Sequence, residues 1–315
     1  MTAKRIVLAG GSGFLGQALA KSSRQAGYQV VVLTRSPSSR ESEIEQVRWD
    51  GETPGDWTAE IDGARAVVNL AGRSVDCRYH ARNRWEILQS RVRSTRVLGE
   101  AIAKCRQPPP VWLNSSTATI YRHSFDQPMD EATGEIGATP EVKDAFSVEV
   151  ARAWEQALAD ADTPATRKVA LRTAMVLGAG ANSVLPVLRR LSRLGLGGAM
   201  AGGRQFVSWI HEEDFCRAVH WLIERDEISG PVNVAAPNPV TNRELMETVR
   251  RVCRAPFGLP ASRWMLEIGA LFLRTETELI IKSRRAVPGR LLAAGFDFRF
   301  PNLEPAVRDI LQRIQ

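Results

Sequence analysis

Lys4-Arg5-Ile6-Val7-Leu8-Ala9-Gly10-Gly11-Ser12-Gly13-Phe14-Leu15-Gly16 is the stretch whose reading decides the fold. Residues 4–9 are an aliphatic, β-branched run and read as a strand. A helical pattern follows the glycines, with Leu15, Leu19, Ala20 and Ala26 on one side and Gly27 as its stop. Tyr28–Leu33 reads as a second strand, so the segment is a β-α-β unit with a glycine-rich turn between strand and helix. Gly10 permits the tight turn, Gly13 leaves room for a pyrophosphate, and Gly16 lets the helix pack closely. The helix N-terminus then offers free N–H groups and a partial positive charge to phosphates. Gly10, Ser12, Gly13, Phe14, Leu15 and Gly16 are therefore candidate dinucleotide contacts.

The end of the second strand distinguishes two nicotinamide cofactors. An Asp or Glu there would accept from a ribose 2′-hydroxyl. This chain has Leu33-Thr34-Arg35-Ser36-Pro37, with no acid before Glu41. An arginine fork and a serine hydroxyl suit a 2′-phosphate. Arg35 and Ser36 thus point to NADP(H) in preference to NAD(H), although Arg35 can also be read as one of many surface arginines.

Outside this unit, composition mostly excludes. The 315 residues suggest two domains, or one large α/β domain with an appendage. At 44% hydrophobic and 24% charged, the chain is neither disordered nor fibrous. No apolar run approaches the roughly 18 residues that would span a bilayer. The formal charge of +7 comes with few lysines and no uninterrupted block of five basic residues, so it reads as a solvated arginine-rich surface, not as a nucleic-acid site. Cys77, Cys105, Cys216 and Cys253 stand far apart without metal-ligand spacing. We expect no metal, reduced thiols, a cytoplasmic protein without a secretory leader, and a homodimer as one possible assembly.

Further along, Ala66–Gly72 reads as a strand ending in small residues; Leu70, Ala71 and Gly72 would let a cofactor lie close. Residues 84–105 have helical periodicity, with Ser90, Arg91, Ser94 and Thr95 on a polar face. Val111–Thr117 is a strand ending in hydroxyls, and ligands of open parallel sheets bind at such C-terminal ends.

These motifs resemble an atypical extended short-chain dehydrogenase/reductase of the epimerase-family branch, whose C-terminus is a short domain of unknown function. The resemblance rests on the opening glycines, Asn69-Leu70-Ala71-Gly72, Ser90-Arg91 with Ser94-Thr95, and Ser115-Ser116-Thr117-Ala118-Thr119-Ile120-Tyr121. It continues through Arg172-Thr173, Val207-Ser208-Trp209-Ile210-His211 with Asp214, Ala255-Pro256, Leu259-Pro260 and Gly295-Phe296. It implies a Rossmann-type doubly wound parallel sheet with a small, mainly helical C-terminal cap: residues 1–235, with a substrate-side insertion near 178–205, and 236–315. Classical members use a Ser/Thr–Tyr–Lys set. The hydroxyl maps to Thr117, but Phe146 and Val150 stand where the Tyr and Lys of Tyr-x-x-x-Lys belong. Neither can transfer a proton or tune one. Tyr121, Lys143, His211 and Asp214 are the remaining titratable groups nearby, each with a structural reading of its own; Thr117 and Tyr121 are retained as catalytic candidates.

The resemblance also places residues 167–177 beside the nicotinamide, making Arg172, with Arg91 and Ser115, a candidate cofactor contact. Residues 182–194 read as an amphipathic helix, and the glycine-rich 195–205 as a mobile loop over the substrate. Ser116, Arg204, Gln205, Trp209 and His211 are the candidate substrate contacts. Thr241 and Glu244 form a capping box opening a helix to Cys253, and short helices are expected near 264–274 and 288–294. The sequence thus implies an NADP(H)-dependent oxidoreductase or epimerase-like enzyme for a small polar substrate, such as a nucleotide-linked sugar. A non-catalytic NADP(H)-binding sensor is the alternative.

Overall fold

The computed structural model describes residues 4–37, 44–180, 182–273 and 276–314; Glu41 and Arg274 lie outside this set. Its first half alternates strands and helices: β1 (Arg5–Ala9), α1 (Phe14–Gln25), β2 (Gln29–Thr34), β3 (Glu45–Arg48), β4 (Ala66–Asn69), α2 (Ala81–Ala103), β5 (Val111–Thr117), α3 (Ala145–Ala159) and β6 (Arg167–Thr173). The second half contains β7 (Met175–Leu177), α4 (Val184–Arg193), β8 (Phe206–Val207), β9 (Trp209–His211), α5 (Glu212–Ile223), β10 (Gly230–Val234) and β11 (Val240–Thr241). The helices α6 (Asn242–Cys253), α7 (Arg263–Leu273), α8 (Glu278–Ile281), α9 (Gly289–Ala293) and α10 (Leu303–Arg313) complete it.

Seven strands form one parallel sheet in the order β10-β6-β5-β4-β1-β2-β3. From β1 the chain runs outward through β2 and β3, then returns to place β4 on the other side of β1. That reversal opens a crevice outside the carboxyl ends of β1 and β4, where doubly wound folds bind ligands. Ile6, Val7, Leu8 and Ala9 are all fully buried because helices cover both faces of the sheet. Ile6 and Leu8 pack with Leu19 of α1 and Phe215 of α5. Val7 and Ala9 pack on the opposite face with Val97 and Leu98 of α2.

A third core joins Leu185 and Leu188 of α4 and Trp209 of β9 to Leu245 and Met246 of α6 and to Val307 and Ile310 of α10. α10 has no counterpart in the sequence reading, nor does the edge strand β3. α2 begins three residues earlier than its periodicity suggests, because His80 Nδ1 accepts the Asn83 N–H and caps the first turn. The capping box at Thr241 and Glu244 forms as read.

The glycine-rich stretch 195–205 is not a free lid. Gly198 N–H donates to Leu259 O, Ala201 N–H to Ala261 O, and Ala261 N–H back to Ala199 O. Met200 N–H donates to Asn242 Oδ1, and Gln205 Nε2–H to Met200 O and Ile280 O. Small residues allow these close approaches: a Cβ on Gly198 would fall 2.3 Å from Leu259 O. Close backbone contact, not mobility, accounts for this cluster of glycines.

Candidate functional site

The turn after β1 is built by three different uses of glycine. Gly10 has φ +75, and a Cβ there would stand 2.6 Å from Ala71 Cα in the segment after β4. Gly16 faces inward, and a Cβ on it would meet Gly11 Cα at 2.4 Å. Around Gly13 no atom lies within 4 Å of an added Cβ, so the turn is open there. Gly13 is the N-cap of α1 and supplies no side-chain acceptor, which leaves the first-turn N–H groups of α1 for a ligand. A dinucleotide pyrophosphate fits this cradle in shape and charge. The Phe14 ring lies beneath the segment after β7, where a Cβ on Gly180 would fall 2.6 Å from it. Ser12 and Gly13 are exposed; Phe14 and Leu15 are half-buried.

Two further walls meet this turn. Arg35 and Ser36 are exposed just beyond the carboxyl end of β2, beside β1. Leu70, Ala71 and Gly72 follow β4, and a buried amide network fixes their path. Asn69 Nδ2 donates to Asn114 Oδ1 at 2.7 Å, and Asn69 Oδ1 accepts the Ala71 N–H at 3.0 Å. The Arg91 guanidinium lies over the Trp154 ring and presses on Gly72, where a Cβ would stand 3.2 Å from its Cζ. It donates to Arg73 O and Ile87 O. Burial pushes its pKa down to about 10.

At the end of β5 the hydroxyls divide between the two sheet faces. Ser115 and Thr117 are half-buried, whereas Ser116 turns toward α3 and donates to Glu155 Oε1 at 2.6 Å. Glu155 also receives two hydrogen bonds from Arg172, each 2.8 Å. Arg172 in turn donates to Tyr121 Oη at 3.0 Å, and Tyr121 donates to Asn233 Oδ1 at 2.9 Å. Tyr121 is 1% exposed. It is therefore a framework residue and not a phenol facing the crevice, and its partner Arg172 is likewise occupied in bracing β6 to α3. Ser116 belongs to the same brace.

Three more expected substrate contacts are internal supports. Gln205 pins its loop, as described above. Trp209 is fully buried and donates from Nε1 to Asn238 O. His211 caps α5: Nδ1 accepts the Glu213 N–H, Nε2 meets Asp309 Oδ2 at 3.1 Å, and the ring stacks on Phe300. Asp214 accepts the N–H groups of Arg299 and Phe300. These residues fasten the C-terminal segment to the sheet. Arg204 is exposed, with its guanidinium 5.5 Å from the Phe125 ring centroid, and Lys143 is exposed at a left-handed turn before α3.

Phe146 and Val150 form a small apolar plug with Ile87, and the Tyr79 ring meets Phe146 edge-to-face at 5.1 Å. Residues 276–286 run across this plug and the end of β5. Tyr79 N–H donates to Glu276 Oε1, and Ser147 Oγ–H to Glu278 Oε1. Lys282 Nζ donates to Thr119 O and pairs with Asp144 Oδ2, both at 2.6 Å. Arg284 Nη1 donates to Thr119 Oγ1, itself 3.1 Å from Thr117 Oγ1. The sequence reading gives no site role to Tyr79, Ser147, Glu278, Lys282 or Arg284. Their partners lie up to 197 residues away, and no spacing signals such pairs.

Residues 6–235 match the family model described as the NAD dependent epimerase/dehydratase family. The chain belongs to that family. Residues 261–310 match a domain of unknown function, DUF1731. The family member YfhF of Bacillus subtilis (strain 168) is 31% identical over 311 residues, covering 97% of each chain. The crystal structure of the human epimerase family protein SDR39U1 with NADPH has a TM-score of 0.85 and 27% identity, covering 98% of this chain and 99% of its own. MoeE5, solved with UDP-glucuronic acid and NAD, shares the fold at TM-score 0.76 and 19% identity, covering 98% of this chain and 99% of its own. The chain is thus a family member with a Rossmann-type dinucleotide-binding fold and a helical C-terminal region. Among the described residues no helix is long and apolar enough to cross a membrane, and no three or more His, Cys, Asp or Glu side chains come together as a metal site would require.

Proposed function

We propose that the protein is an NADP(H)-dependent oxidoreductase or epimerase-like enzyme acting on a small polar substrate in the cytoplasm. The reading is carried by the open cradle at Gly13 together with the exposed Arg35 and Ser36 beyond β2. The pyrophosphate would lie on Gly10–Gly16, and Arg35 and Ser36 would hold the 2′-phosphate. Leu70, Ala71, Gly72, Arg91 and Ser115 would line the remainder, with Thr117 and Arg204 toward the substrate. The NADPH in the human relative supports this choice; NAD in MoeE5 belongs to a more distant chain. Residues 1–235 would act as the cofactor part and 236–315 as the cap. A nucleotide-linked sugar is one substrate class of suitable chemistry; neither nucleic acid nor membrane is needed as a partner, and a homodimer is the assembly to look for.

Titration with NADPH and NADH, read by quenching of tryptophan fluorescence, tests the cofactor assignment. NADPH binding at least tenfold tighter is expected, and equal affinity overturns it. A second reading, a non-catalytic NADP(H)-responsive protein, is favoured by the apolar plug at Phe146 and Val150. It predicts tight binding and no NADPH oxidation with any carbonyl or sugar nucleotide.

A further inference from the structure

Glu278 opens the four-residue helix α8 in the segment that runs over the Phe146 plug and the end of β5, and its side chain is buried at 7% exposure. Oε1 accepts the Ser147 hydroxyl. Oε2 is buried with no hydrogen-bond partner among the described residues. Ser147 directly follows Phe146, the position at which the family resemblance expects the catalytic tyrosine. The carboxyl therefore sits at the same end of α3 as the missing phenol. Tyr79 stands beside Ser147, and Arg284 links the segment to the Thr119 and Thr117 hydroxyls.

We propose that Glu278 is the proton donor and acceptor of this crevice, supplied by the C-terminal segment in place of Tyr-x-x-x-Lys, with small ketones, aldehydes and their alcohols as the substrate class. The inference rests on the enzymatic reading above. Reducing a carbonyl requires a hydride at carbon and a proton at oxygen. A reduced nicotinamide supplies the hydride when bound. Glu278 Oε2–H gives its proton to the substrate oxygen and becomes a carboxylate that Ser147 continues to hydrogen-bond. In the reverse direction the carboxylate takes the alcohol proton. Solvent restores the starting state.

The surroundings suit a carboxyl that is protonated when it works. Burial raises its pKa, and the nearby Asp144 adds to this; the Ser147 hydroxyl, Lys282 and Arg284 oppose it. Much of the Lys282 charge is spent on Asp144. Tyr79, also raised by burial and by Glu278, remains a neutral phenol beside the pair. The proton-donating form is present below the raised pKa and lost as pH rises through it.

The test uses full-length wild type, E278Q and S147A. Difference infrared spectra across the pH range should show a protonated-carboxyl band that is absent from E278Q. NADPH oxidation with benzil and phenanthrenequinone as carbonyl probes should fall about 100-fold or more in E278Q, with NADPH affinity unchanged. S147A should move the alkaline limb of the rate to higher pH, since the lost hydrogen bond favoured the carboxylate. E278Q should fold, because an amide keeps the side-chain volume and an oxygen for the Ser147 hydroxyl and carries no ionisation penalty. Wild-type turnover that E278Q leaves intact, or a Glu278 ionised throughout, overturns the proposal. Wild type that binds NADPH but oxidises it with neither probe overturns the enzymatic reading, and this inference with it.

Discussion

Gly16 lies so close to Gly11 that a Cβ on it would stand 2.4 Å from the Gly11 Cα. The contact joins the first turn of α1 to the backbone leaving β1, and no flexible side chain is available to yield. Gly16→Ala should therefore displace the start of α1, costing about 1–3 kcal/mol and lowering the thermal midpoint. Gly13 is the internal control. Gly13→Ala places its methyl in open space and should leave the midpoint of the ligand-free protein nearly unchanged, while weakening NADPH binding about tenfold or more. Thermal denaturation with and without NADPH separates the two cases. Equal destabilisation by both substitutions would mean that the Gly13 face is part of the packed turn.

Arg35 carries the cofactor preference in the proposed function. Arg35→Ala removes a charged donor from the 2′-phosphate, and a hydrogen bond to a charged group is worth about 1.5–3 kcal/mol. NADPH affinity should fall by an order of magnitude or more while NADH affinity holds. Parallel titrations check this, and an equal loss for both cofactors would assign Arg35 to the surface.

Tyr121 braces β5, β6 and β10 through Arg172 and Asn233. Tyr121→Phe leaves the Asn233 oxygen without the phenol hydroxyl and removes one acceptor from a buried guanidinium. A loss of about 1–3 kcal/mol is expected, with NADPH affinity and any turnover retained. Denaturant unfolding beside a rate measurement distinguishes this from catalysis, which would abolish turnover in a stable protein.

How much of this was legible in the sequence follows from the range of each interaction. The β-α-β unit, the hydroxyl-bearing end of β5 and the Thr241–Glu244 box are local, so their residue spacing reports them. The glycine turn could be read position by position because each steric demand acts within a few residues, apart from Gly10 against Ala71. Tyr121, Arg172, Gln205, Trp209 and His211 are read from the sequence as catalytic, cofactor and substrate contacts because they are polar or aromatic residues near the sheet's ligand-binding edge. Their side chains, however, are claimed by Asn233, Glu155, Ile280, Asn238 and Asp309, partners that are remote in sequence or unmarked by any motif. The 276–286 segment meets the plug by tertiary packing alone, so Ser147 and Glu278 carry no shared pattern. The absence of a Tyr and Lys at 146 and 150 was legible; what lies beside them required the fold.

His211 makes acid sensitivity a property of the C-terminal attachment. The ring is fully buried, and burial lowers its pKa, outweighing the attraction of Asp309. His123 and His220 are lowered for the same principal reason. A histidine depressed in the folded state takes up its proton first in the unfolded state. Stability is therefore fully present above the unfolded value of about 6.5 and falls as pH drops from there through the folded values. Unfolding midpoints measured from pH 8 to pH 5 should hold near the alkaline end and decline below about pH 6.5. His211→Gln keeps a polar ring-sized group but removes one titration, and should flatten that decline while lowering stability at pH 8 through loss of the α5 cap and the Phe300 stack. A variant with the same acid slope as wild type would show that His211 takes up its proton equally in the folded and unfolded states, and that His123 and His220 carry the effect.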